Sequence, residues 1–260
     1  MCELLGMSFN RAVNPKISFK GFQKRGKNNP DGWGIAYYKN KKATIEKEPI
    51  SALSSNFLKN EKNLENILSK IIIGHVRKKS QGKPSYNNTH PFFKKLNGKG
   101  YTFAHNGTIP QNKKFKLKYF IPNGDTDSEN IFYHLLDFIQ EKGIKNWNMS
   151  DIQCLEQEIR EINKKGTLNC LFTDGKHLFC YHDRNGYNGL CFIQRKPPYR
   201  EIKLEDIDWE VDLREEKDPN KTGFIIATKQ LTNESWEKFN KGELIVFKDG
   251  KMIYSSHRDI

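Results

Sequence analysis

The chain has 260 residues, of which 36% are hydrophobic and 12% aromatic, enough to bury a full core and too many for a disordered protein. No apolar run approaches the roughly 20 residues of a membrane span, and no basic leader precedes an apolar stretch, so we expect neither membrane association nor secretion. The net charge of +13 comes from lysines scattered along the chain without an RNA-binding aromatic signature, so no specific nucleic-acid partner is expected.

The five cysteines are odd in number and include no C-x-x-C pair. Four of them lie in helix or strand patterns typical of small buried hydrophobic residues: Cys154, Cys170, Cys180 and Cys191. We therefore expect a reduced, cytoplasmic protein. Neither a G-x-G-x-x-G nor a Walker sequence occurs, so no nucleotide cofactor is predicted.

The first half of the chain alternates short apolar strands with helical patterns. Strands are predicted at 3–7, 34–39, 43–47, 71–76 and 101–105, and helices around 17–23, 53–58 and 64–69.

The clearest helical pattern follows Thr126, which has the capping-box spacing to Glu129 and opens a stripe of apolar residues three and four positions apart. A second helix is predicted to start at Ser150, with Gln153 in the same box geometry, and to stop at Gly166. Two adjacent amphipathic helices thus separate the two halves of the chain.

The last part of the chain returns to strands, predicted at 167–173, 177–182, 190–194, 224–228, 243–247 and 251–254. Asp174-Gly175 and Asp249-Gly250 are hairpin-turn pairs, and the polar segment 197–222 is predicted to be a long surface excursion. Strands, two helices and strands again favour layers of sheet and helix over a doubly wound Rossmann fold. We expect one domain over 1–260, in which the strands of about 167–254 continue the fold of the first half.

A cysteine directly follows the initiator methionine. Removal of Met1 would leave Cys2 with a free α-amine, whose ordinary pKa of about 7.7–8 suits it to accept a proton from the thiol. A nucleophile and its base would then share one residue. Taken alone, a cysteine at this position is more often incidental.

Two charged or titratable side chains follow predicted strands. Arg77 ends the strand at 71–76 and can aim a planar fork at a carboxylate, or form an ordinary surface ion pair. His90 precedes a proline, which holds it extended, and a structural role is the alternative. His75, His90 and His105 are evenly spaced but lack an i, i+4 pair or a cysteine partner, so no metal site is predicted.

Asn106 and Gly107 end the strand at 101–105. The pair favours a tight turn, but its side-chain amide and glycine N–H could also converge as an oxyanion hole. Asp127 lies in the first turn of the capped helix, where an acid ordinarily complements the helix dipole or could receive an ammonium group.

Six short motifs occur in one order and together resemble the class II glutamine amidotransferases, whose glutaminase domain belongs to the N-terminal-nucleophile hydrolases; the closer likeness is to the standalone YafJ-type branch. They are Met1-Cys2-Glu3-Leu4-Leu5-Gly6, Asp31-Gly32-Trp33-Gly34, Gly74-His75-Val76-Arg77, Asn88-Thr89-His90-Pro91-Phe92, His105-Asn106-Gly107 and Thr126-Asp127-Ser128-Glu129. The likeness continues through 169–174 and 226–236, and so covers essentially the whole chain.

The resemblance implies an α+β fold, a four-layer αββα sandwich of two antiparallel sheets. It also implies roles for single residues. Cys2 matches the nucleophile and its α-amine the general base, while Asn106 and Gly107 match the oxyanion hole. Arg77 matches the clamp on the substrate α-carboxylate. Asp127 matches the partner of its α-ammonium.

His90 matches a histidine of the glutamine pocket, and Arg25-Gly26 and Asp31-Gly32 fall in the region that walls the nucleophile. The implied activity is hydrolysis of glutamine to glutamate and ammonia through a γ-glutamyl thioester. This chain departs from the pattern at Lys78-Lys79-Ser80, where fused domains carry an aromatic and then a small residue, so closure of this loop over substrate stays open.

Three alternatives also stay open. The substrate could be another γ-glutamyl amide or peptide, since it carries the same α-amino and α-carboxylate groups. The protein could instead supply ammonia to a synthase partner, because too few residues follow Asp127 for a synthase module of its own. A non-enzymatic protein with a basic binding surface is the third alternative.

Overall fold

A computed structural model describes residues 1–80, 82–206, 210–213 and 218–260, which form two large antiparallel sheets and a small hairpin. The seven-stranded sheet has the order β13-β9-β12-β1-β4-β2-β3, and the six-stranded sheet has the order β15-β14-β8-β7-β6-β5. The strands are β1 Glu3–Val13, β2 Trp33–Lys39, β3 Lys42–Glu48, β4 Ser69–Val76, β5 Phe92–Leu96, β6 Lys99–Thr108, β7 Thr167–Thr173, β8 His177–Tyr181, β9 Cys191–Arg195, β10 Glu201–Lys203, β11 Glu210–Asp212, β12 Gly223–Ala227, β13 Glu237–Lys238, β14 Leu244–Lys248 and β15 Lys251–Ser255.

The described part of the chain has five α-helices outside the sheets: α1 Lys16–Lys24, α2 Asn56–Lys59, α3 Glu61–Glu65, α4 Asp127–Glu141 and α5 Met149–Lys165. None of the described helices combines the length and the apolar character needed to cross a bilayer.

Three apolar clusters divide the molecule into four layers. One lies between the sheets and includes Leu4, Ile73 and Leu171, which come from both sheets. A second joins α4 and α5 to the six-stranded sheet, and a third packs α1 on the outer face of the seven-stranded sheet. The predicted αββα sandwich is confirmed by this arrangement of layers. A helical layer outside each sheet buries the sheet face that the other sheet does not cover.

Strand β1 is central to the seven-stranded sheet, since it pairs with β4 on one side and β12 on the other. Leu4 belongs to the cluster between the sheets, whereas Leu5, Met7 and Phe9 belong to the outer one, and Leu4 and Leu5 are both fully buried. Glu3 pairs with Val76 and Leu5 with Ala227. Cys2 therefore lies where β1 begins and where β4 and β12 end.

Asn106 and Gly107 belong to β6 and do not form a tight turn. They pair with Asn169 and Leu168 of β7, and the strand continues to Thr108. The expected local turn is wrong here, because cross-strand pairing over seven residues overrides the local preference of an Asn-Gly pair.

A true Asn-Gly turn lies nearby and was not predicted. Asn97 and Gly98 have φ values of 50° and 77° and join β5 to β6, as a two-residue hairpin turn requires. The predicted turns at Asp174-Gly175 and Asp249-Gly250 do connect β7 to β8 and β14 to β15.

Several element boundaries differ from the prediction. Residues 64–69 do not form a helix, since α3 ends at Glu65 and Ser69 already begins β4. Helix α5 is capped by Asn148, whose side chain accepts from the Asp151 N–H, and not by Ser150. The excursion at 197–222 contains the β10–β11 hairpin, although 207–209 and 214–217 lie outside the described residues.

One of the two contacts of the predicted capping box of α4 is present. The Thr126 hydroxyl accepts from the Glu129 N–H, a contact typically worth about 1 kcal/mol. The Glu129 carboxylate does not return to Thr126, because it accepts instead from the N–H groups of Asn123 and Gly124 in the preceding loop.

Three of the four cysteines expected to be buried are buried, and the fourth, Cys154, is half-buried. All five cysteines are free thiols.

Candidate active site

The Cys2 thiol lies against the backbone of the segment that follows β4. Its Sγ atom is 3.0 Å from the Lys78 carbonyl oxygen and 3.0 Å from the Lys78 nitrogen, so it can donate to one and accept from the other. The preceding residue, Met1, is 57% exposed and therefore accessible at the surface.

Burial raises the pKa of the Cys2 thiol above its ordinary value. This effect outweighs the backbone hydrogen bond from Lys78 and the positive charges of the chain N-terminus and the Arg77 guanidinium, which lower the pKa. The thiol is therefore protonated at neutral pH and needs a base to become a nucleophile. While Met1 is attached, the Cys2 nitrogen is a peptide nitrogen and cannot accept a proton. Removal of Met1 would convert it into an amine.

The carbonyl group of Cys2 is held by two side-chain amides. Asn106 Nδ2 and Asn188 Nδ2 each donate to the Cys2 oxygen at 2.8 Å. Thr228, directly after β12, accepts from the Leu4 N–H through its Oγ1 at 2.8 Å and from Asn106 Nδ2 at 3.2 Å. Asn188 and Thr228 are missing from the residues predicted for the site.

The second oxyanion candidate, Gly107, occupies a position where only glycine fits. Its φ of 152° lies in a region that side-chain-bearing residues avoid. An added Cβ would collide with the Thr167 carbonyl and the His105 ring. Gly107 lines the cavity beside Cys2.

Arg77 is 3% exposed, and its guanidinium donates to the backbone oxygens of Asp31 and Gly82. The strand end is clamped to the Asp31-Gly32 segment, because the Arg77 N–H donates to the Gly32 oxygen and the Asp31 N–H donates to the Arg77 oxygen. Burial lowers the pKa of Arg77, while the Cys2 thiol and nearby carboxyl groups, Asp127 among them, act in the opposite direction. With its high intrinsic pKa, Arg77 stays charged.

Asp127 is the first residue of α4 and is 3% exposed. Its Oδ2 accepts from the Ile109 N–H at 2.7 Å, which fixes the carboxylate beside the end of β6. The backbone N–H of Lys79 donates to Asp31 Oδ2 at 2.9 Å and not to Asp127.

Three buried histidines surround these groups. The rings of His75 and His90 are 4.2 Å apart, and His105 contacts Ser128 Oγ and the Thr167 oxygen. Burial lowers the pKa of His75 to about 3 and the pKa of His90 well below its ordinary value, so both rings are neutral. Neither ring nitrogen of His90 has a hydrogen-bond partner among the described residues.

The described residues include no group of three His, Cys, Asp or Glu side chains that could hold a metal ion. His75 contacts the Asn106 side chain and His105 contacts Ser128 and Thr167, whereas the His90 ring packs against the ring of His75.

Five of the six predicted site residues line one cavity of about 20 Å³, namely Cys2, Arg77, His90, Gly107 and Asp127. The sixth, Asn106, is outside that lining but bonds to the Cys2 carbonyl. Of the wall segments, Asp31-Gly32 supports Arg77. The other wall residue, Arg25, instead forms ion pairs with Glu3 and Asp206.

A larger, mostly apolar cavity of about 480 Å³ lies on the outer face of the seven-stranded sheet, lined in part by Met7, Phe9, Ile225 and Trp236. It contains none of the predicted site residues.

The chain is similar to known proteins in both sequence and structure. The family model of the class II glutamine amidotransferases matches residues 1–260. An uncharacterized protein of Methanocaldococcus jannaschii is 45% identical over 99% of this chain and 72% of its own length. YafJ of Escherichia coli, provisionally named a glutamine amidotransferase, is 34% identical over 97% of this chain and 100% of its own. The crystal structure of a predicted glutamine amidotransferase from Pseudomonas aeruginosa PA01 is 30% identical, with a TM-score of 0.74, covering 97% of this chain and 100% of that one.

Proposed function

Since the chain belongs to the class II glutamine amidotransferases, we propose that it is an amidohydrolase in which Cys2, freed of Met1, attacks the side-chain amide of glutamine or of another γ-glutamyl amide. The observation that carries the proposal is the single cavity shared by Cys2, Arg77, Gly107 and Asp127. Those four residues supply a nucleophile, a cation, an oxyanion donor and an anion.

The charges match an amino-acid head group. The Arg77 guanidinium is suited to the substrate α-carboxylate, and the Asp127 carboxylate is suited to its α-ammonium. Their burial supports this role, because a charge held away from water interacts more strongly with a ligand than an exposed one does. His90, which is neutral and whose ring nitrogens have no hydrogen-bond partner among the described residues, would form the wall of the pocket.

The proposed reaction has two halves. The α-amine of Cys2 takes the thiol proton, and Sγ attacks the amide carbon, so that a tetrahedral oxyanion forms. The Gly107 N–H is one proposed donor to that oxyanion. The other is an N–H of the Asn106 amide, which would exchange its contact with the Cys2 oxygen or Thr228 Oγ1 for the oxyanion. The C–N bond then breaks, the amine returns the proton to the departing ammonia, and a γ-glutamyl thioester remains. Water, deprotonated by the same amine, attacks the thioester carbon. The C–S bond breaks, the amine returns the proton to Sγ, and glutamate is released.

Substrate entry requires movement next to Cys2. A cavity of about 20 Å³ has room for about one water molecule and is far too small for glutamine, so glutamine cannot fit the form described. The Lys78 backbone, bonded to Sγ on both sides, is the group that must move aside. We propose that the segment after Arg77 opens to admit substrate, with Lys79 at its exposed side.

The deciding experiment measures ammonia release from L-glutamine and from a panel of γ-glutamyl amides, using protein whose intact mass shows the loss of Met1. Cys2→Ala should abolish release. Cys154→Ala removes a half-buried thiol elsewhere and should leave it unchanged. A glutamine-mimicking diazo-ketone should add its mass to the peptide that begins at Cys2.

Unchanged turnover in Cys2→Ala, or labelling at another cysteine, would contradict the proposal. Turnover that is low for every amide and rises when a synthase is added would instead favour an ammonia-supplying subunit.

A further inference from the structure

The loop between β8 and β9 brings one side chain to the nucleophile from the far end of the chain. Residues 182–190 cross from the six-stranded to the seven-stranded sheet. Within this loop Asn188 has a left-handed φ of 57°, a conformation that asparagine tolerates better than most residues. Its Nδ2 donates to the Cys2 oxygen at 2.8 Å.

The loop is anchored on both sides of Asn188. Asn169, which is fully buried and paired with Asn106 across β6 and β7, donates from its side-chain amide to the oxygens of Tyr187 and Gly189. Asp183 accepts from the N–H groups of Asn185 and Tyr187 in the same loop. Asn188 is therefore held in place by hydrogen bonds to the backbone of its neighbours, and its own side chain takes no part in them.

The orientation of the Asn188 amide is fixed by chemistry. A carbonyl oxygen only accepts hydrogen bonds, so Nδ2 must face the Cys2 oxygen. The other end of the amide, Oδ1, is then an acceptor. It is buried and has no hydrogen-bond partner among the described residues, an unfavourable state for an acceptor unless a donor arrives.

We propose that Asn188 is a positioning residue for the N-terminal base: it holds the Cys2 carbonyl through Nδ2 and accepts from the liberated α-amine through Oδ1. This inference rests on the proposed function for its role in turnover. The α-amine gains a positive charge when it takes the thiol proton, and an acceptor that it can reach would stabilise that charge. The contact of Asn188 is with the backbone of Cys2, the residue that carries the base, so its loss should act on the base.

The test compares wild-type protein lacking Met1 with Asn188→Gly, Asn188→Asp and the matched control Asn185→Gly. Glycine removes the amide while accepting the left-handed backbone. Asn185 is an exposed residue of the same loop. One readout is the pKa of the Cys2 α-amine, followed by its ¹⁵N chemical shift in cysteine-labelled protein. The other is the division of ammonia release into kcat and KM.

Asn188→Gly should lower the pKa of the α-amine by about one pH unit, because the protonated form loses an acceptor. It should lower kcat by about 10- to 100-fold with little change in KM. Asn188→Asp should raise the same pKa, because a carboxylate stabilises the ammonium more strongly than an amide does. Asn185→Gly should match the wild type in both readouts.

A wild-type α-amine pKa in Asn188→Gly, or shifts of the same direction in the glycine and aspartate variants, would overturn the assignment. Should Asn188→Gly fail to fold, the direction of the shift in Asn188→Asp still decides the matter. If the wild type hydrolyses no amide, the proposed function fails, while the amine titration continues to test Asn188 independently.

Discussion

The His75 Nε2 atom lies 3.0 Å from Asn106 Oδ1, and this contact sets the direction of the Asn106 amide. An amide oxygen only accepts, so Nε2 carries the proton and the Asn106 nitrogen faces the Cys2 carbonyl and Thr228 Oγ1. Because His75 is fully buried and neutral, the contact connects the two sheets without a charge. The buried histidine thus orients the proposed oxyanion donor.

Replacing Asn106 by alanine should lower kcat by about 100- to 1,000-fold with a smaller effect on KM, because the lost donor acts on the oxyanion and not on bound substrate. Steady-state ammonia release from the preferred amide is the measurement. Asn130→Ala is the matched control, since Asn130 is also a buried amide but bonds to the backbone of Phe115. Equal kcat losses in the two variants would count against a specific role for Asn106.

Asp127→Asn should lower kcat/KM by about 100-fold, because the neutral amide cannot balance a desolvated α-ammonium. The variant keeps an oxygen for the Ile109 N–H, so the fold should be retained. Asp137→Asn offers a control on the same helix, where a buried carboxylate accepts from the N–H groups of Lys118 and Tyr119. An Asp127→Asn enzyme as efficient as the Asp137→Asn enzyme would rule out the ammonium contact.

The buried histidines predict an acid-sensitive fold. The pKa of His75 falls from 6.5 in the unfolded chain to about 3 in the folded protein, so between these values the unfolded state binds more protons. The free energy of unfolding should therefore fall as pH is lowered from about 6.5 towards 3, by up to about 1.4 kcal/mol per pH unit from this residue.

Urea unfolding of wild type, His75→Gln and His257→Gln at about pH 7 and about pH 5 checks this expectation. His75→Gln should lose less stability on acidification than the wild type does. The exposed His257 is the control, and its replacement should leave the pH dependence unchanged. Identical losses in all three proteins would mean that His75 does not resist protonation in the fold.

Local patterns in the sequence predicted much of this molecule. The Thr126 cap, the hairpin turns at Asp174-Gly175 and Asp249-Gly250 and most strands follow from residues close together in the chain. Strand β5 was missed although Asn97-Gly98 is a clear turn signal, because Lys94 and Lys95 interrupt its apolar pattern. The predicted cap of α5, Ser150, lies two residues after the actual cap, Asn148, because both residue types favour the cap position.

The candidate site divides in the same way. Cys2, Arg77 and Asp127 could be named because short motifs surround them, and the structure places them at one cavity. Asn188 lies 186 residues from Cys2 along the chain and reaches it through the β8–β9 loop. Thr228 reaches Leu4 and Asn106 through the pairing of β1 with β12. No local spacing indicated Asn188, because its position depends on the long-range course of the loop. Thr228 does fall in the 226–236 segment of the likeness, but no local spacing showed its contact with Leu4.

The central claim is that the freed nitrogen of Cys2 serves as the base for its own thiol, and a single preparation can test it. The chain is made with an N-terminal extension in place of Met1, which a specific protease removes to leave Cys2 first. Ammonia release is measured before and after cleavage, with Cys2→Ala carried through the same steps. The account predicts that cleavage increases turnover by at least about 100-fold and only when Cys2 is present. Turnover by the uncleaved protein at the rate of the cleaved one would contradict it.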